Sequence, residues 1–207
     1  IGPGGEMIHE EAPDNLALDF GVGDEAATEE AFAKAAKTVK LEVGDNRVIV
    51  NSMEPRGCVA DWDGERLHFA YGGQGVWGVK EELSKALSLD AEKIHATTPD
   101  VGGGFGMKAP AYPEYMVCAH ASRVLDRPVR WMSDRTEAML SDHAGRDLVS
   151  VAEFAFDETN KITAYRVNTR SNLGAYNSNF GQAIQSFLFA RVLMGTYDVQ
   201  TVWMNSK

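Results

Sequence analysis

Residues 100–108, Asp-Val-Gly-Gly-Gly-Phe-Gly-Met-Lys, are the stretch best suited to chemistry in this 207-residue chain, because four of five consecutive positions are glycine and a lysine closes the run. Each glycine adds to the entropy lost on folding, so a cluster suits a backbone that turns tightly or is approached closely by another molecule. A strand is predicted over residues 92–98, and a helix is predicted to begin near residues 110–113. Free backbone N–H groups before a helix N-terminus favour a bound anion. The loop is therefore a candidate ligand site.

The loop does not match either of two familiar phosphate-binding patterns. A dinucleotide fingerprint has glycines at relative positions one, three and six, which Gly102 and Gly104 begin and Met107 breaks. A Walker loop ends in Gly-Lys-Ser/Thr, whereas Lys108 is followed by alanine. Phe105 is either a buried core residue or one side of a ligand site. For the loop as a whole, a glycine turn that only packs a strand against a helix remains an alternative to a ligand site.

A second glycine loop, residues 72–75 with Gln74 among three glycines, follows a predicted strand over residues 66–71 and precedes a helical pattern. With the strand predicted over residues 128–132, the chain reads as two consecutive β-α-β units. If these strands are parallel, both loops lie at their carboxyl ends, so Gln74 and Phe105 should line one edge of the sheet. The Gln74 amide can donate and accept hydrogen bonds, and its other interpretation is a turn-stabilising amide.

Cysteine and histidine give no sign of a metal site. Cys58 and Cys118 fit no Cys-x-x-Cys or zinc spacing, so we expect both to be reduced and buried. The histidines are scattered without the spacing of metal ligands, and they are His9, His68, His95, His120 and His143. We therefore predict no metal held by protein side chains.

Two further groupings have charged or nucleophilic residues. Glu54 and Arg56 flank a proline and could form an ion pair or hold a loop, and of the two we favour an ion pair within a turn. Ser133, Asp142 and His143 have the residue types of a hydrolase triad, but nothing in the sequence indicates that they converge.

The predicted fold class is α+β: mixed α/β with β-α-β units carrying glycine-rich loops, followed by an antiparallel β-hairpin region. Before these units, a helix is predicted over residues 28–39 with Thr28 as its N-cap. A hairpin is predicted around Asp63-Gly64 and a second between residues 147–156 and 162–171.

Composition sets the outer limits on function. The chain is 44% hydrophobic and 24% charged, as in ordinary globular proteins. Its formal net charge of -10 argues against nucleic acid and anionic membranes as partners. We see no membrane-spanning run and no targeting sequence, so a cytoplasmic location is expected. The opening residues, Ile-Gly-Pro-Gly-Gly, resemble a linker, and we expect the chain to be a fragment.

Five ordered motifs resemble one family. They are Met-Glu-Pro-Arg at residues 53–56, the Gln74 loop, the glycine run at residues 100–108, Arg-Trp at 130–131 with Asp-Arg at 134–135, and Gly-Ala-Tyr at 174–176. Their order and spacing are similar to those of the molybdenum-binding large subunit of the xanthine dehydrogenase and aldehyde oxidase family, closest to its carbon monoxide dehydrogenase-type branch.

The resemblance implies a molybdopterin cofactor, in some members molybdopterin cytosine dinucleotide, whose dithiolene sulfurs rather than protein side chains hold the molybdenum. It implies that Gln74 is catalytic and hydrogen-bonds an oxo ligand of the metal. It also implies a cofactor-binding set of Gln74, Gly103, Gly104, Phe105 and Gly106. On the same resemblance, residues 1–45 would be the end of a preceding domain or a linker with one helix, and residues 46–207 the first part of the molybdopterin-binding domain.

For the complete enzyme, the resemblance implies oxidation of a small-molecule substrate, an aldehyde, an N-heterocycle or carbon monoxide, with water as the oxygen source. Electrons would pass to iron–sulfur and FAD subunits. The family's general-base glutamate and its substrate-discriminating loop have no counterpart in these residues, so the fragment alone should be inactive. The alternative is a stand-alone module that binds a phosphate or nucleotide ligand without redox chemistry.

Overall fold

The computed structural model describes residues 5–207 and divides them into two compact units. The first unit contains the described residues up to Val48 together with Gly145–Lys207, and the second unit is the continuous segment Ile49–Ala144. None of the helices within residues 5–207 has the length and apolar character that a bilayer crossing requires.

The second unit, Ile49–Ala144, contains the two glycine loops. Its strands and helices, in chain order, are β4 (Gly57–Trp62), β5 (Leu67–Tyr71), α2 (Trp77–Leu87), the 3-10 turn Ala91–Lys93, β6 (Ile94–Thr97), α3 (Pro113–Leu125), β7 (Val129–Met132) and α4 (Arg135–Ser141). The elements β1 (Phe20–Gly23), α1 (Glu25–Ala33), β2 (Lys37–Asp45) and β3 (Val48–Ile49) precede these in the chain.

The sheet of the second unit has the order β6-β5-β4-β7. β5 and β6 are parallel neighbours, while β4 is antiparallel to both β5 and β7. β7 therefore runs in the same direction as β5 and β6, as the two β-α-β units predict. It does not pair with either of them, because the hairpin strand β4 lies between β5 and β7.

One face of this sheet packs against α2 and α3. The buried hydrophobic core of the unit is formed by Cys58, Ala60, Leu67, Phe69, Tyr71, Val79, Leu83, Ile94, Met107, Tyr112, Tyr115, Cys118 and Ala119. Inward positions alternate along β4 and β5 and recur at helical spacing along α2 and α3, which is why both periodicities could be read from the sequence. Cys58 and Cys118 are free and buried, as expected.

The helices of the second unit begin at recognisable residues. α3 starts with Pro113 in its first turn, where the missing N–H costs nothing, and it ends at the left-handed Asp126. α4 has a full capping box, in which Asp134 accepts from the backbone of Glu137 and the Glu137 side chain accepts from the backbone of Asp134.

The first unit is built on the five-stranded sheet β1-β11-β10-β9-β2. Its elements are the 3-10 turn Pro13–Asn15, β1 (Phe20–Gly23), α1 (Glu25–Ala33), β2 (Lys37–Asp45), β9 (Leu148–Phe156), β10 (Ile162–Ser171), α5 (Gly181–Ala183), the π-helical turn Ile184–Leu188, α6 (Phe189–Val192) and β11 (Val202–Ser206). The short strands β3 (Val48–Ile49) and β8 (Ala144–Gly145) lie where the chain passes between units. The β9–β10 hairpin is antiparallel, so the predicted fold class is confirmed in both parts.

The helix predicted over residues 28–39 is wrong at both ends. The helix is Glu25–Ala33, its N-cap is Asp24, whose side chain accepts from the backbone of Ala27, and Thr28 is buried inside it. Val39 belongs to β2, which pairs along nine residues with β9. Alternating Val39, Leu41 and Val43 favour a strand, and this pattern outweighs the helical spacing of the preceding alanines.

Candidate functional site

The two glycine loops lie side by side because β5 and β6 are parallel neighbours and each loop leaves the carboxyl end of its strand. The Gln74 loop leads directly into α2, which begins at Trp77. The 100–108 loop does not open directly into a helix, since α3 begins only at Pro113. The predicted strand–loop–helix arrangement thus holds closely for the first loop and only loosely for the second.

Gln74 joins the two loops. Its side-chain Oε1 accepts a hydrogen bond of 2.8 Å from the backbone N–H of Gly106, and its own backbone N–H donates to the carbonyl of Lys108 at 3.2 Å. A Cβ on Gly104 would lie 2.6 Å from the Gln74 side-chain carbon Cδ. The Gln74 side chain therefore occupies the space that a side chain at position 104 would enter, so a larger residue there would displace the amide.

The remaining hydrogen-bonding capacity of Gln74 is a donor. With Oε1 engaged by Gly106, the Nε2 group has no acceptor among residues 5–207, and the side chain is exposed. The backbone N–H groups of Gly104 and Phe105 likewise have no acceptor in this part of the chain. The joined loops therefore present a small set of free N–H donors.

Phe105 is not a core residue. Its side chain is 75% exposed and its φ is 54°, in the left-handed region that favours glycine. Gly103 has a φ of 98°, and a Cβ there would lie 2.6 Å from the Phe105 ring carbon Cε2. Of the two interpretations of Phe105, the core plug is excluded, and the glycines around it let the backbone hold a bulky ring at the surface.

Glu54 and Lys108 lie beside the joined loops, and the sequence interpretation did not predict that they pair with each other. The predicted ion pair between Glu54 and Arg56 is wrong, because Glu54 instead pairs with Lys108 at 2.7 Å. The same Glu54 oxygen, Oε2, accepts a 2.8 Å hydrogen bond from the backbone N–H of Gly102. The Lys108 side chain is fully buried, and pairing with its ammonium group lowers the pKa of Glu54.

Arg56 is buried elsewhere in the unit. Its guanidinium contacts Asp142 at 2.5 Å and Glu114 at 3.2 Å, and it stacks 3.6 Å from the centre of the Tyr112 ring. Burial alone would lower the pKa of Arg56, but the two carboxylates outweigh burial and raise it. The partners of Arg56 lie at residues 112, 114 and 142, far away in the sequence. Its two-residue spacing from Glu54 therefore could not predict them.

The residues of the apparent hydrolase triad do not converge. Asp142 is committed to Arg56, and the Ser133 hydroxyl donates to the carbonyl of Asp134. The His143 ring packs on Tyr112 with ring centres 4.6 Å apart. Burial lowers the pKa of His143, and the charge of Arg56 lowers it further. These residues support the fold around Arg56.

The class of this protein is established by sequence comparison. The family described as the molybdopterin cofactor-binding domain matches residues 8–207. The chain belongs to this family, which confirms the resemblance found in the sequence motifs.

Individual relatives agree. The chain is 34% identical over 201 residues to the nicotine 6-hydroxylase large subunit of Paenarthrobacter nicotinovorans, covering 95% of this chain and 24% of the relative. It is 33% identical over 187 residues to the carbon monoxide dehydrogenase large chain of Hydrogenophaga pseudoflava, covering 89% and 23%. Quinoline 2-oxidoreductase from Pseudomonas putida 86 superposes with a TM-score of 0.84 at 30% identity, covering 91% and 24%. The chain thus spans about a quarter of the length of these relatives.

The joined loops carry N–H donors of the kind that would fit oxygen atoms of a molybdopterin cofactor. A Cβ on Gly104 would meet the Gln74 side chain at 2.6 Å, so the amide packs directly against this glycine. The Gln74 amide and the adjacent backbone offer N–H donors to oxygen atoms. Among residues 5–207, no group of three or more His, Cys, Asp or Glu side chains is placed to hold a metal ion.

Proposed function

We propose that this chain holds the metal-bearing end of the cofactor in a molybdenum hydroxylase large subunit. The complete protein would oxidise a carbon centre of a small molecule, an aldehyde, an N-heterocycle or carbon monoxide, with water as the oxygen source. One observation carries the proposal: Gln74 bridges the two glycine loops through its Oε1 and keeps its Nε2 donor free beside Gly104. Such fixed donors are suited to stabilising negative charge that develops during a reaction.

The cofactor, when bound, supplies a redox-active molybdenum that takes up electrons from the substrate. The part of this chain is to bind and orient it. The Gln74 Nε2 group donates a hydrogen bond at the metal-bearing end, Gly104 lets the cofactor approach the backbone, and Gly103 and Gly106 allow the positive φ angles of the loop. The exposed Phe105 ring walls the same end.

Finer features of the complete protein are also part of the proposal. The cofactor would be the cytosine dinucleotide form, and electrons would leave through iron–sulfur and FAD subunits. Support for partner subunits comes from the relatives, which are named as a large subunit and a large chain.

The test measures the molybdenum and pterin content of the complete protein. It also measures the loss of the protein's visible absorption when candidate substrates reduce it. We expect about one molybdenum and one pterin per chain. A protein without either, whose glycine loops bind phosphate compounds instead, would overturn the proposal in favour of the stand-alone binding module.

A further inference from the structure

A single carboxylate oxygen closes the second glycine loop. Glu54 Oε2 accepts from the Gly102 backbone N–H at 2.8 Å, where the loop begins, and from the Lys108 ammonium at 2.7 Å, where it ends. The Glu54 backbone N–H also donates to the Gly102 carbonyl at 3.1 Å. Glu54 is thus bonded to both ends of the segment that contains Gly104, Phe105 and Gly106.

Lys108 depends on this contact. Its side chain is fully buried, and within residues 5–207 Glu54 is the only carboxylate within ion-pair distance of its ammonium group. A buried charge without a partner is strongly unfavourable, so the ammonium and the carboxylate fix each other's positions.

Lys108 in turn positions Gln74. The carbonyl of Lys108 accepts from the Gln74 backbone N–H at 3.2 Å, and the Lys108 N–H donates to the Gly104 carbonyl at 3.3 Å. A displacement of Lys108 would therefore move the bridging glutamine and the glycine that it touches. The contacts run from Glu54 through Lys108 to the donor group of the site.

Glu54 itself lies in a segment held from α4. Arg135, the first residue of α4, donates to the carbonyls of Ser52 at 2.7 Å and Met53 at 3.1 Å. Two residues beyond Glu54, Arg56 is fixed by Asp142. A Cβ on Gly102 would lie 2.5 Å from the Glu54 Cβ, so the two backbones are in close contact.

We propose that Glu54 is a positioning residue for the cofactor loop, acting with Lys108 as a clamp that sets the shape of residues 102–108 and the place of Gln74. The inference rests on the proposed function for its effect on the cofactor. Glu54 would act through its contacts with Gly102 and Lys108. Its role differs from general stabilisation because one oxygen atom joins the two ends of the loop.

The test replaces Glu54 and Lys108 by uncharged residues in the complete protein. It distinguishes an effect on the shape of the loop from an effect on overall stability. Glu54→Gln can still accept from Gly102 but leaves the buried Lys108 ammonium without a carboxylate. Lys108→Met removes the charge and keeps a long unbranched side chain. The double variant, Glu54→Gln with Lys108→Met, has no unpaired charge and no bridge between the loop ends. Glu153→Gln is the control, because Glu153 pairs with Arg166 at 2.8 Å in the other unit.

Three quantities are measured for each variant: the thermal unfolding midpoint, the molybdenum and pterin content, and the hydrogen exchange of the loop amides in cofactor-free protein. Glu54→Gln should lower the unfolding midpoint and the molybdenum and pterin content, and it should speed the exchange of the loop amides. The double variant should recover most of the unfolding midpoint, yet its cofactor content should stay about tenfold below wild type, as for lost outer contacts at metal sites. Its loop amides should still exchange faster than in the wild type. The control should lower only the unfolding midpoint.

Wild-type cofactor content and loop exchange in the double variant would overturn the clamp. A wild-type protein that never contains molybdenum or pterin would overturn the proposed function instead, and loop exchange in the cofactor-free protein would still decide the clamp.

Discussion

At the scale of single residues, the site depends on one amide and the glycines that let it approach. Gln74 uses its oxygen to hold the second loop through Gly106, and its Nε2 donor has no acceptor in the described residues. The same side chain packs against Gly104, where a Cβ would lie 2.6 Å from Gln74 Cδ. Two substitutions test the proposed part of these residues in cofactor binding.

Gln74→Ala should impair turnover more than cofactor retention in the complete protein. One amide hydrogen bond contributes roughly 0.5–1.5 kcal/mol net to stability, so the remaining contacts should keep the cofactor. Loss of a fixed donor near developing charge can lower the rate about a hundredfold. The measurements are molybdenum content and the rate of the reductive half-reaction per molybdenum. Gln200→Ala, at an exposed glutamine of the other unit, is the control, and unchanged turnover in Gln74→Ala would refute the role of the amide.

Gly104→Val should lower cofactor content itself. A Cβ at this position would lie 2.6 Å from Gln74 Cδ, so the added side chain would displace Gln74 and fill the space beside it. We expect molybdenum per chain to fall about tenfold or more. Gly78→Ala is the matched control, because a Cβ there meets nothing within 4 Å and lies inside α2. Equal molybdenum content in the Gly104 and Gly78 variants would show that the close approach has no role in cofactor binding.

At the scale of elements, buried charge ties the start of α3 to the end of α4. Arg56 contacts Glu114 in α3 and Asp142 after α4, and it stacks on Tyr112, the N-cap residue of α3. Burial raises the pKa of Tyr112 to about 12, which keeps its hydroxyl protonated. His143 completes this group by packing on the same ring, with its Nδ1 atom buried and without a partner in the described residues.

His143→Phe should make stability less sensitive to mild acid. The pKa of the folded His143 lies below its ordinary value of 6.5, so the unfolded chain binds the proton more readily. The wild type is therefore fully stable above pH 6.5 with respect to this group and loses stability as the pH falls through the folded pKa. Phenylalanine keeps the ring contact and cannot titrate.

The measurement is the free energy of unfolding in urea between about pH 7 and pH 5. We expect the loss over this range to be smaller in His143→Phe than in the wild type, with nearly equal stability at pH 7. His120→Gln, at an exposed histidine on α3, is the control. A variant that loses as much stability in acid as the wild type would contradict the assignment.

At the scale of the whole molecule, the two units differ in continuity. The unit at Ile49–Ala144 is one uninterrupted segment with its own core, whereas the sheet of the other unit pairs β2 at Lys37–Asp45 with β9 at Leu148–Phe156. The glycine loops, Glu54 and Arg56 all belong to the continuous unit. The candidate site is therefore assembled from residues within a single segment of fewer than one hundred positions.

Residues 49–144 produced alone should fold, because every member of the buried cluster lies inside this segment. Residues 1–48 alone should not, since their long strand β2 has its partner beyond residue 147. Dispersed amide signals in NMR spectra and a cooperative urea transition would identify the folded segment. Poor dispersion for residues 49–144, or a cooperative transition for residues 1–48, would refute the expected independence.

The glycine loops, the two β-α-β units and the hairpins could be predicted from the sequence, because turn residues and the periods of strands and helices are local properties. The shared order of several motifs also identified the family. Tertiary structure decided the ion pairs. Glu54 and Arg56 are two residues apart, yet Glu54 pairs with Lys108 and Arg56 with Glu114 and Asp142.

Tertiary structure also decided that β4 lies between β5 and β7, and that residues 37–45 form a strand rather than the end of a helix. Both outcomes depend on pairing with residues far away in the chain. The clamp at Glu54 has the same origin, because a buried ammonium group is paired with the carboxylate that folding brings to it, and no local pattern encodes which one that is.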